Sequence, residues 1–190
     1  TFGFKKIMPF HQFLNYHRVY SLEEVKKINK SLAPVLESAA MNTQKGPKGS
    51  IKDCTVSVAT WGKTKSFLKP FIETAFRINE EIFGVYLYPM RDDMTFIHNV
   101  YRPGQQYSYH VDESAHPPSS CKLTCLLNLS MQPYTGGEFL VQPGEEHLIK
   151  EFNIPGTMVV FPSFILHKIR PIKKGTRISL AALLEGPKWT

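Results

Sequence analysis

The chain has 190 residues, of which 42% are hydrophobic and 12% aromatic, enough to bury the core of one domain and short of what two full cores need. It contains no apolar run near the about 20 residues required to cross a bilayer, so we expect no membrane partner. The net charge of +7 favours anionic partners, but the basic residues are scattered rather than interleaved with stacking aromatic residues, so a nucleic-acid partner is not expected.

The first predicted element is an amphipathic helix. Ser21 and Glu24 have the spacing of a capping box, in which each side chain bonds the backbone of the other residue. Apolar residues then recur at helical spacing over residues 25–36. Pro34 is expected to kink or end this helix, because it lacks an amide hydrogen and its ring clashes with the preceding turn.

A polar, Gly/Pro-rich segment follows at residues 42–50, which predicts a mobile loop. Residues 51–60 are compatible with a strand that has Val56 and Val58 on one face. A second amphipathic helix is predicted from about residue 66 to residue 83, with Gly84 as its C-terminal stop.

After Gly84, short β-branched and aromatic runs alternate with Pro/Gly turns, which is typical of a sandwich or barrel. The predicted strands are 85–88, 94–102, 106–111, 121–129, 137–142, 146–152, 157–161, 164–169 and 176–184. We therefore predict one domain over residues 1–190, mostly β (α+β) in class. Residues 1–84 would supply helical support and residues 85–190 a jelly-roll core.

Three cysteines, Cys54, Cys121 and Cys125, form neither a disulfide framework nor a CxxC zinc pair. Cys121 and Cys125 are four residues apart in a predicted strand, hence ~13 Å apart and too distant to share a metal. Free thiols are typical of a reducing compartment, so we expect a cytoplasmic protein.

Two histidines and a carboxylate form the strongest chemical pattern. His110 and Asp112 are two residues apart in a predicted strand and so project from one face. With the later His167 they have the composition of the non-haem Fe(II) facial triad. A lone HxD is weak evidence, since such a histidine is more often structural. Arg177 and Ser179 strengthen it, because a hairpin across residues 173–176 would place a carboxylate-binding guanidinium beside the metal.

The order and spacing of further residues resemble the 2-oxoglutarate oxygenase domain of prolyl hydroxylases, especially the bacterial and viral PKHD-type group. The matching segments are 101–112, 123–124, 136–139, 155–157, 161–163, His167, Pro171 and 175–180. This resemblance implies a double-stranded β-helix, a kind of jelly roll.

The same resemblance implies a role for several residues. His110, Asp112 and His167 would be the iron ligands, and Arg177 would pair with the distal carboxylate of 2-oxoglutarate, with Ser179 adding a hydrogen bond. Tyr101 matches a tyrosine whose hydroxyl helps to hold that carboxylate, although a core aromatic residue before a turn is an equal alternative.

Substrate contacts are expected from a less similar part of the chain. Ile51-Lys52-Asp53 is similar to the start of the substrate-covering flap of prolyl hydroxylases, so residues 42–64 would form a lid through which Asp53 or Trp61 touches substrate. A surface loop with an edge strand is the alternative. Of the alternating Tyr107 and Tyr109, one would pack and the other would line the pocket mouth, and Tyr109 is the candidate substrate contact.

The resemblance implies an enzyme that uses Fe(II), 2-oxoglutarate and O₂, with ascorbate as a further candidate cofactor, to hydroxylate a C–H bond and release succinate and CO₂. It favours a proline in a peptide or protein as substrate. A free amino acid or small molecule, which would need a more closed and charged pocket, is the alternative. A nucleic-acid demethylase is less favoured, because no second arginine follows Arg177 in residues 178–185. A metal-free jelly-roll binding module is the alternative from a different class of protein. Such a module would not need the triad of two histidines and a carboxylate, which argues against it.

Overall fold

The first helix begins where its capping box predicts. In the computed structural model, which describes residues 13–39, 43–46, 49–112 and 120–188, helix α1 spans Leu22–Leu32. The Glu24 amide donates to Ser21 Oγ at 3.3 Å, and the Ser21 amide donates to Glu24 Oε2 at 2.7 Å. Pro34 lies in the 3-10 turn Ala33–Val35 that ends the helix. Both predictions are confirmed.

The second helix, α2, spans Trp61–Ile78 and continues into a π-helical turn at Asn79–Phe83. Gly84 ends it in the left-handed conformation with φ 62°, as predicted. The predicted start near residue 66 is wrong because the N-terminus is capped by distant backbone. The amide of Trp61 donates to the Met94 carbonyl at 2.7 Å and that of Gly62 to the Asp92 carbonyl at 3.0 Å.

Fifteen strands lie in the described residues. They are β1 (Asn15–Arg18), β2 (Glu37–Ser38), β3 (Thr43–Gly46), β4 (Gly49–Asp53), β5 (Thr55–Thr60), β6 (Thr95–Tyr101), β7 (Gln106–His110), β8 (Ser120–Asn128), β9 (Thr135–Gly136), β10 (Phe139–Gln142), β11 (His147–Leu148), β12 (Thr157–Pro162), β13 (Leu166–Ile169), β14 (Ile172–Lys174) and β15 (Arg177–Gly186).

These strands form two main antiparallel sheets and a short ribbon. The large sheet has the spatial order β1-β12-β8-β15-β6-β5-β2, the small sheet has the order β11-β10-β13-β7-β4-β3, and β14 pairs with β9. The mostly β double-stranded β-helix is therefore confirmed. The strands before residue 84 extend both sheets, so this part of the chain is more than a helical support.

Three further predictions of local structure differ from the structure. Residues 43–46 and 49–53 are paired strands, which contradicts the predicted loop at residues 43–46 and 49–50; residues 42, 47 and 48 of that loop lie outside the described residues. Residues 85–88 are not a strand, because the Asn79 side chain bonds both backbone groups of Val85, at 2.8 and 3.1 Å. Of residues 146–152, only a two-residue strand forms, followed by a 3-10 turn at Lys150–Asn153.

Alternation along β15 divides the core into two layers. Leu180, Ala182 and Leu184 pack into the cluster that includes α1 and α2 residues. The odd-numbered residues from 177 to 183 face a cavity between the two sheets. Successive side chains on a strand point to opposite faces, so one strand serves both the helix-facing core and the cavity. None of the helices in the described part of the chain is long and apolar enough to span a membrane.

Candidate metal centre and the cavity around it

Two adjacent strands of the small sheet bring the predicted triad together. β7 and β13 are antiparallel, and their register places His110 directly opposite His167. Asp112 follows β7 and is fixed by its amide, which donates to the Ser163 carbonyl at 3.0 Å. One ligand atom from each of the three residues lies within 4.8 Å of the others. The spacing is suitable for one metal ion held by two imidazoles and a carboxylate.

Hydrogen bonds set the tautomer of both imidazoles. His110 Nδ1 lies 2.8 Å from the Ser108 carbonyl and His167 Nδ1 lies 2.9 Å from the Ile165 carbonyl. A carbonyl only accepts, so each Nδ1 must carry the hydrogen and each neutral ring keeps its lone pair on Nε2. Both Nε2 atoms face Asp112, at 3.7 Å for His110 and 3.4 Å for His167. Backbone bonding to the other nitrogen is the usual support of a metal-binding histidine.

The surroundings keep both rings neutral. Burial lowers the pKa of His110 to about 4, and the neighbouring His167 adds to this effect. Burial also lowers the pKa of His167 below its ordinary value. A neutral imidazole is the form that binds a metal, so the two side chains are ready to bind near neutral pH.

A chain of hydroxyl groups holds the third ligand. The Thr124 hydroxyl donates to Asp112 Oδ2 at 2.7 Å and lies 3.1 Å from Ser163 Oγ, which in turn lies 2.8 Å from Cys121 Sγ. An ionised carboxylate can only accept. Thr124 must therefore donate to Asp112, Ser163 to Thr124 and Cys121 to Ser163. This direction fixes the carboxylate and leaves Oδ1 free to face a metal.

Arg177 reaches the cavity from the opposite sheet. Its strand β15 belongs to the large sheet, whereas His167 lies on the small sheet, and β14 pairs with β9. The predicted hairpin between the two residues is therefore wrong, although Arg177 and His167 line one cavity. A turn signal at residues 173–176 does not specify which strand pairs with which.

The Arg177 guanidinium is buried without an anionic partner in the described part of the chain. The residue is 2% exposed, its Nη1 donates to Ser179 Oγ at 3.0 Å, and its Nη2 has no hydrogen-bond partner there. Its other neighbours are the rings of Phe152, at 5.1 Å, and Tyr101, at 5.7 Å. Burying such a charge is costly unless it is paired, so the site fits a bound carboxylate.

Tyr101 lies beside this guanidinium. It pairs with Arg177 in the β6–β15 register and is 2% exposed. Its hydroxyl is hydrogen-bonded to the Cys54 thiol, and burial raises the pKa of Tyr101 well above its ordinary value. The hydroxyl is therefore protonated, and it donates to Cys54 because the Cys54 thiol itself donates to Asn99 Oδ1 at 3.7 Å.

The cavity that contains these groups has a volume of about 170 Å³. It is lined by residues of both sheets: Lys52, Ile97, Asn99, Tyr101, Tyr107, His110, Asp112, Leu126, Phe139, His167, Ile169, Arg177, Ser179, Ala181 and Leu183.

The three candidate substrate residues do not line this cavity. Tyr109 directs its hydroxyl to Glu146, outside the cavity. Of the alternating pair Tyr107 and Tyr109, it is Tyr107 that lines the cavity. Trp61 packs edge-on against Phe96, with ring centroids 6.0 Å apart. Asp53 accepts a hydrogen bond from Gln105 at 3.2 Å.

Lys52 lines the cavity but is not among the predicted site residues, although the sequence contains a signal for it. The alternation used for Val56 and Val58 places Cys54 and Lys52 on the same face. Val56 and Cys54 pack in the core between the sheets, and Lys52 lines the cavity. Asp53, the predicted substrate contact, belongs to the other face.

Fold and site together define a class, the jelly-roll proteins with a facial triad of two histidines and one carboxylate, which is the site of non-haem Fe(II) oxygenases. Residues 96–184 match the family model described as 2OG-Fe(II) oxygenase superfamily. Residues 96–184, which form most of the jelly-roll core, are therefore similar to this superfamily.

A protein from Janthinobacterium sp. (strain Marseille), described as a PKHD-type hydroxylase, is 33% identical over 110 residues. That alignment covers 53% of this chain and 47% of the relative, so the chain spans about half the length of the curated relatives it matches.

Solved structures match over a larger share. A Pseudomonas putida prolyl-4-hydroxylase superimposes with a TM-score of 0.65 at 18% identity, covering 92% of this chain and 93% of that one. The viral collagen prolyl hydroxylase of Paramecium Bursaria Chlorella virus-1 gives 0.68 at 17% identity, covering 92% and 96%. At such identities the similarity shows the fold.

Proposed function

We propose that this protein is an Fe(II)- and 2-oxoglutarate-dependent dioxygenase that hydroxylates a C–H bond and releases succinate and CO₂. The observation that carries this proposal is the buried Arg177, whose Nη2 has no partner in the described residues, in the cavity that contains the triad. A dicarboxylic co-substrate suits such a site, because one end can reach the metal while the other pairs with the guanidinium.

The side chains have separate tasks in this proposal. His110, Asp112 and His167 hold Fe(II), and Arg177 binds the distal carboxylate with a planar fork of donors. Ser179 accepts from the same guanidinium and so orients it, and the Tyr101 hydroxyl adds a donor by turning its hydrogen from Cys54 to the carboxylate. Together with 2-oxoglutarate and O₂, the bound iron supplies the oxidising chemistry, and the protein supplies orientation and exclusion of water.

We propose a proline in a peptide or protein as the substrate, on the strength of the relatives' names. The β3–β4 hairpin supports this choice by its position. β4 pairs with β7, the strand that carries His110, so the hairpin borders the cavity at the metal end and could cover a bound peptide. A fold by itself does not fix a substrate.

A free amino acid or small carboxylic acid is the second candidate. One observation favours it: the cavity contains two buried cations, Lys52 and Arg177, and this class of substrate needs a charged, closed pocket.

The test of the proposed activity is anaerobic titration with Fe(II) and 2-oxoglutarate. The wild-type protein should give the weak visible charge-transfer band of an iron-chelated oxo acid, and in air it should release succinate. His110→Ala and His167→Ala should lose both signals. His147→Ala is the matched control, because His147 does not line the cavity. Normal iron binding and succinate release in both triad variants would overturn the ligand assignment.

Substrate identity needs a second assay, in which succinate release is measured in air, with and without ascorbate. Proline-containing peptides should raise succinate release and gain one oxygen atom at proline by mass spectrometry. Oxygen gained only by free amino acids would favour the second candidate. Formaldehyde released from methylated bases would contradict both.

A further inference from the structure

Asn99 is a polar residue of the cavity wall that the proposed activity does not use. It lies on β6, is 6% exposed, and lines the cavity together with Arg177 and Ser179. A buried side-chain amide usually has hydrogen-bond partners, because leaving its polar groups without them is costly. The partners of Asn99 therefore indicate what its remaining hydrogen can bind.

Two neighbours fix the orientation of the Asn99 amide. Its Nδ2 lies 3.4 Å from the carbonyl oxygen of Ile97, and its Oδ1 lies 3.7 Å from Cys54 Sγ. A carbonyl only accepts, so the NH₂ group must be the part of the amide that faces Ile97. The Cys54 thiol accepts from the Tyr101 hydroxyl and donates its own hydrogen to Asn99 Oδ1.

The amide has one hydrogen to spare. Asn99 Nδ2 carries two hydrogens, and within the described ranges it donates only to Ile97. That bond is longer than the roughly 3.0 Å of a typical N–H···O hydrogen bond. Asn99 can therefore donate to a molecule in the cavity while its Oδ1 stays bonded to Cys54.

The strand register places Asn99 between the two ends of the proposed co-substrate site. Ser179 lies two residues beyond Arg177 on β15 and directly opposite Asn99, a step of about 6.6 Å along the strand. Further along, β15 passes Thr124, whose hydroxyl donates to the candidate metal ligand Asp112. A diacid that spans Arg177 and the metal therefore passes Asn99.

We propose that Asn99 donates a hydrogen bond to bound 2-oxoglutarate, and that Cys54 is a positioning residue that holds the Asn99 amide in the donating orientation. This inference rests on the proposed activity and adds a ligand contact to it. Without the thiol, Asn99 Oδ1 loses its donor, and the amide is free to turn its oxygen towards the anionic co-substrate.

The affinity for 2-oxoglutarate tests the contact without turnover. It is measured by calorimetric titration of the anaerobic Fe(II) protein, and iron affinity is measured separately. Asn99→Leu removes the donor at similar volume and should weaken 2-oxoglutarate binding by roughly 10-fold to 100-fold, the size of one hydrogen bond to a charged group. Its iron affinity should stay near the wild-type value. Asn99→Asp has nearly the same shape and should bind 2-oxoglutarate at least as weakly, because an ionised carboxylate only accepts.

A double-mutant cycle tests the positioning role of Cys54. Cys54→Ala should weaken 2-oxoglutarate binding by less than Asn99→Leu does, because the amide can still rotate into the donating orientation. Cys54→Ser keeps a donor and should retain most of the affinity. The double variant Cys54→Ala/Asn99→Leu should bind as Asn99→Leu does, because Cys54 acts through Asn99. Asn153→Leu is the matched control, since Asn153 is exposed and does not line the cavity.

Two results would overturn the inference. One is wild-type affinity for 2-oxoglutarate in the Asn99 variants that thermal unfolding shows to be folded. The other is additive losses in the double variant, which would mean that Cys54 acts through Tyr101 instead of Asn99. If the wild-type protein itself binds no 2-oxoglutarate, the proposed activity is contradicted, and the inference falls with it.

Discussion

Replacing Arg177 by methionine should separate the contribution of this side chain to folding from its contribution to 2-oxoglutarate binding. In the described residues the guanidinium has one hydrogen bond, to Ser179, and an Nη2 without a partner. Methionine has similar length and no charge to bury. An unsatisfied buried donor costs about 1–3 kcal/mol. The free energy of unfolding of metal-free Arg177→Met should therefore equal the wild-type value or exceed it by up to about 2 kcal/mol.

Binding of the co-substrate should change in the opposite direction. Removing one member of a buried charged pair costs about 2–5 kcal/mol, and each 1.4 kcal/mol is tenfold in affinity. The 2-oxoglutarate concentration for half-maximal succinate release should rise roughly 30-fold to several thousand-fold. Arg177→Lys should be less impaired than Arg177→Met, because an ammonium keeps the charge and loses the bidentate fork.

The measurements are denaturant unfolding of the metal-free protein, iron affinity, and succinate release as a function of 2-oxoglutarate. Arg170→Met is the matched control, since Arg170 pairs with Glu146 at 2.7 Å and its side chain is 46% exposed. It makes the same charge change outside the cavity and should leave the 2-oxoglutarate requirement unchanged. The reasoning is refuted if Arg177→Met needs no more 2-oxoglutarate than wild type, or if it is strongly destabilised without metal.

Two further predictions follow from the metal ligands. Thr124→Val removes the hydroxyl that donates to Asp112 at nearly constant side-chain volume, so it should weaken iron binding by roughly 10-fold to 100-fold. Thr124→Ser keeps the hydroxyl and should retain most of the iron affinity. Equal iron affinity in the wild-type protein and both variants would exclude this positioning role. Burial lowers the pKa of His110 to about 4 and lowers that of His167, so between about pH 6.5 and pH 4 the unfolded chain binds more protons than the folded one. The melting temperature of the metal-free protein should fall as pH decreases through that interval, and a double His→Gln variant of these residues should show a smaller fall.

The candidate ligand set could be predicted largely from the sequence, because its residue types and spacing are local features. Strand alternation predicts that His110 and Asp112 face the same side, although Asp112 lies just beyond β7 and is held there by the bond from its amide to the Ser163 carbonyl. The same holds for the capping box at Ser21 and for Gly84, where a left-handed residue ends a helix. The order and spacing of the later residues, which resemble those of prolyl hydroxylases, then indicated His167 as the third candidate ligand.

The remaining errors concern strand pairing and burial, which local rules do not specify. Arg177 was expected beside His167 through a hairpin, yet its strand pairs with β6 and β8 in the other sheet. Lys52 is not among the predicted site residues because lysine is usually exposed, and its burial depends on tertiary contacts such as the pairing of β4 with β7. The start of α2 was missed because the backbone of Met94 and Asp92, not a local side chain, caps it.

The placement of the metal ligands and Arg177 on opposite sheets makes the distance between them a property of the core. Packed sheets lie about 10 Å apart, at a separation set by the side chains between them. Here three phenylalanines connect His167 on the small sheet to the Arg177 guanidinium on the large sheet. Phe161 contacts the His167 ring edge-on at 4.9 Å, Phe152 lies 5.1 Å from the guanidinium, and Phe139 packs against both, at 5.8 and 5.3 Å. The aromatic core between the sheets therefore sets the length of the diacid that can reach from Arg177 to the metal.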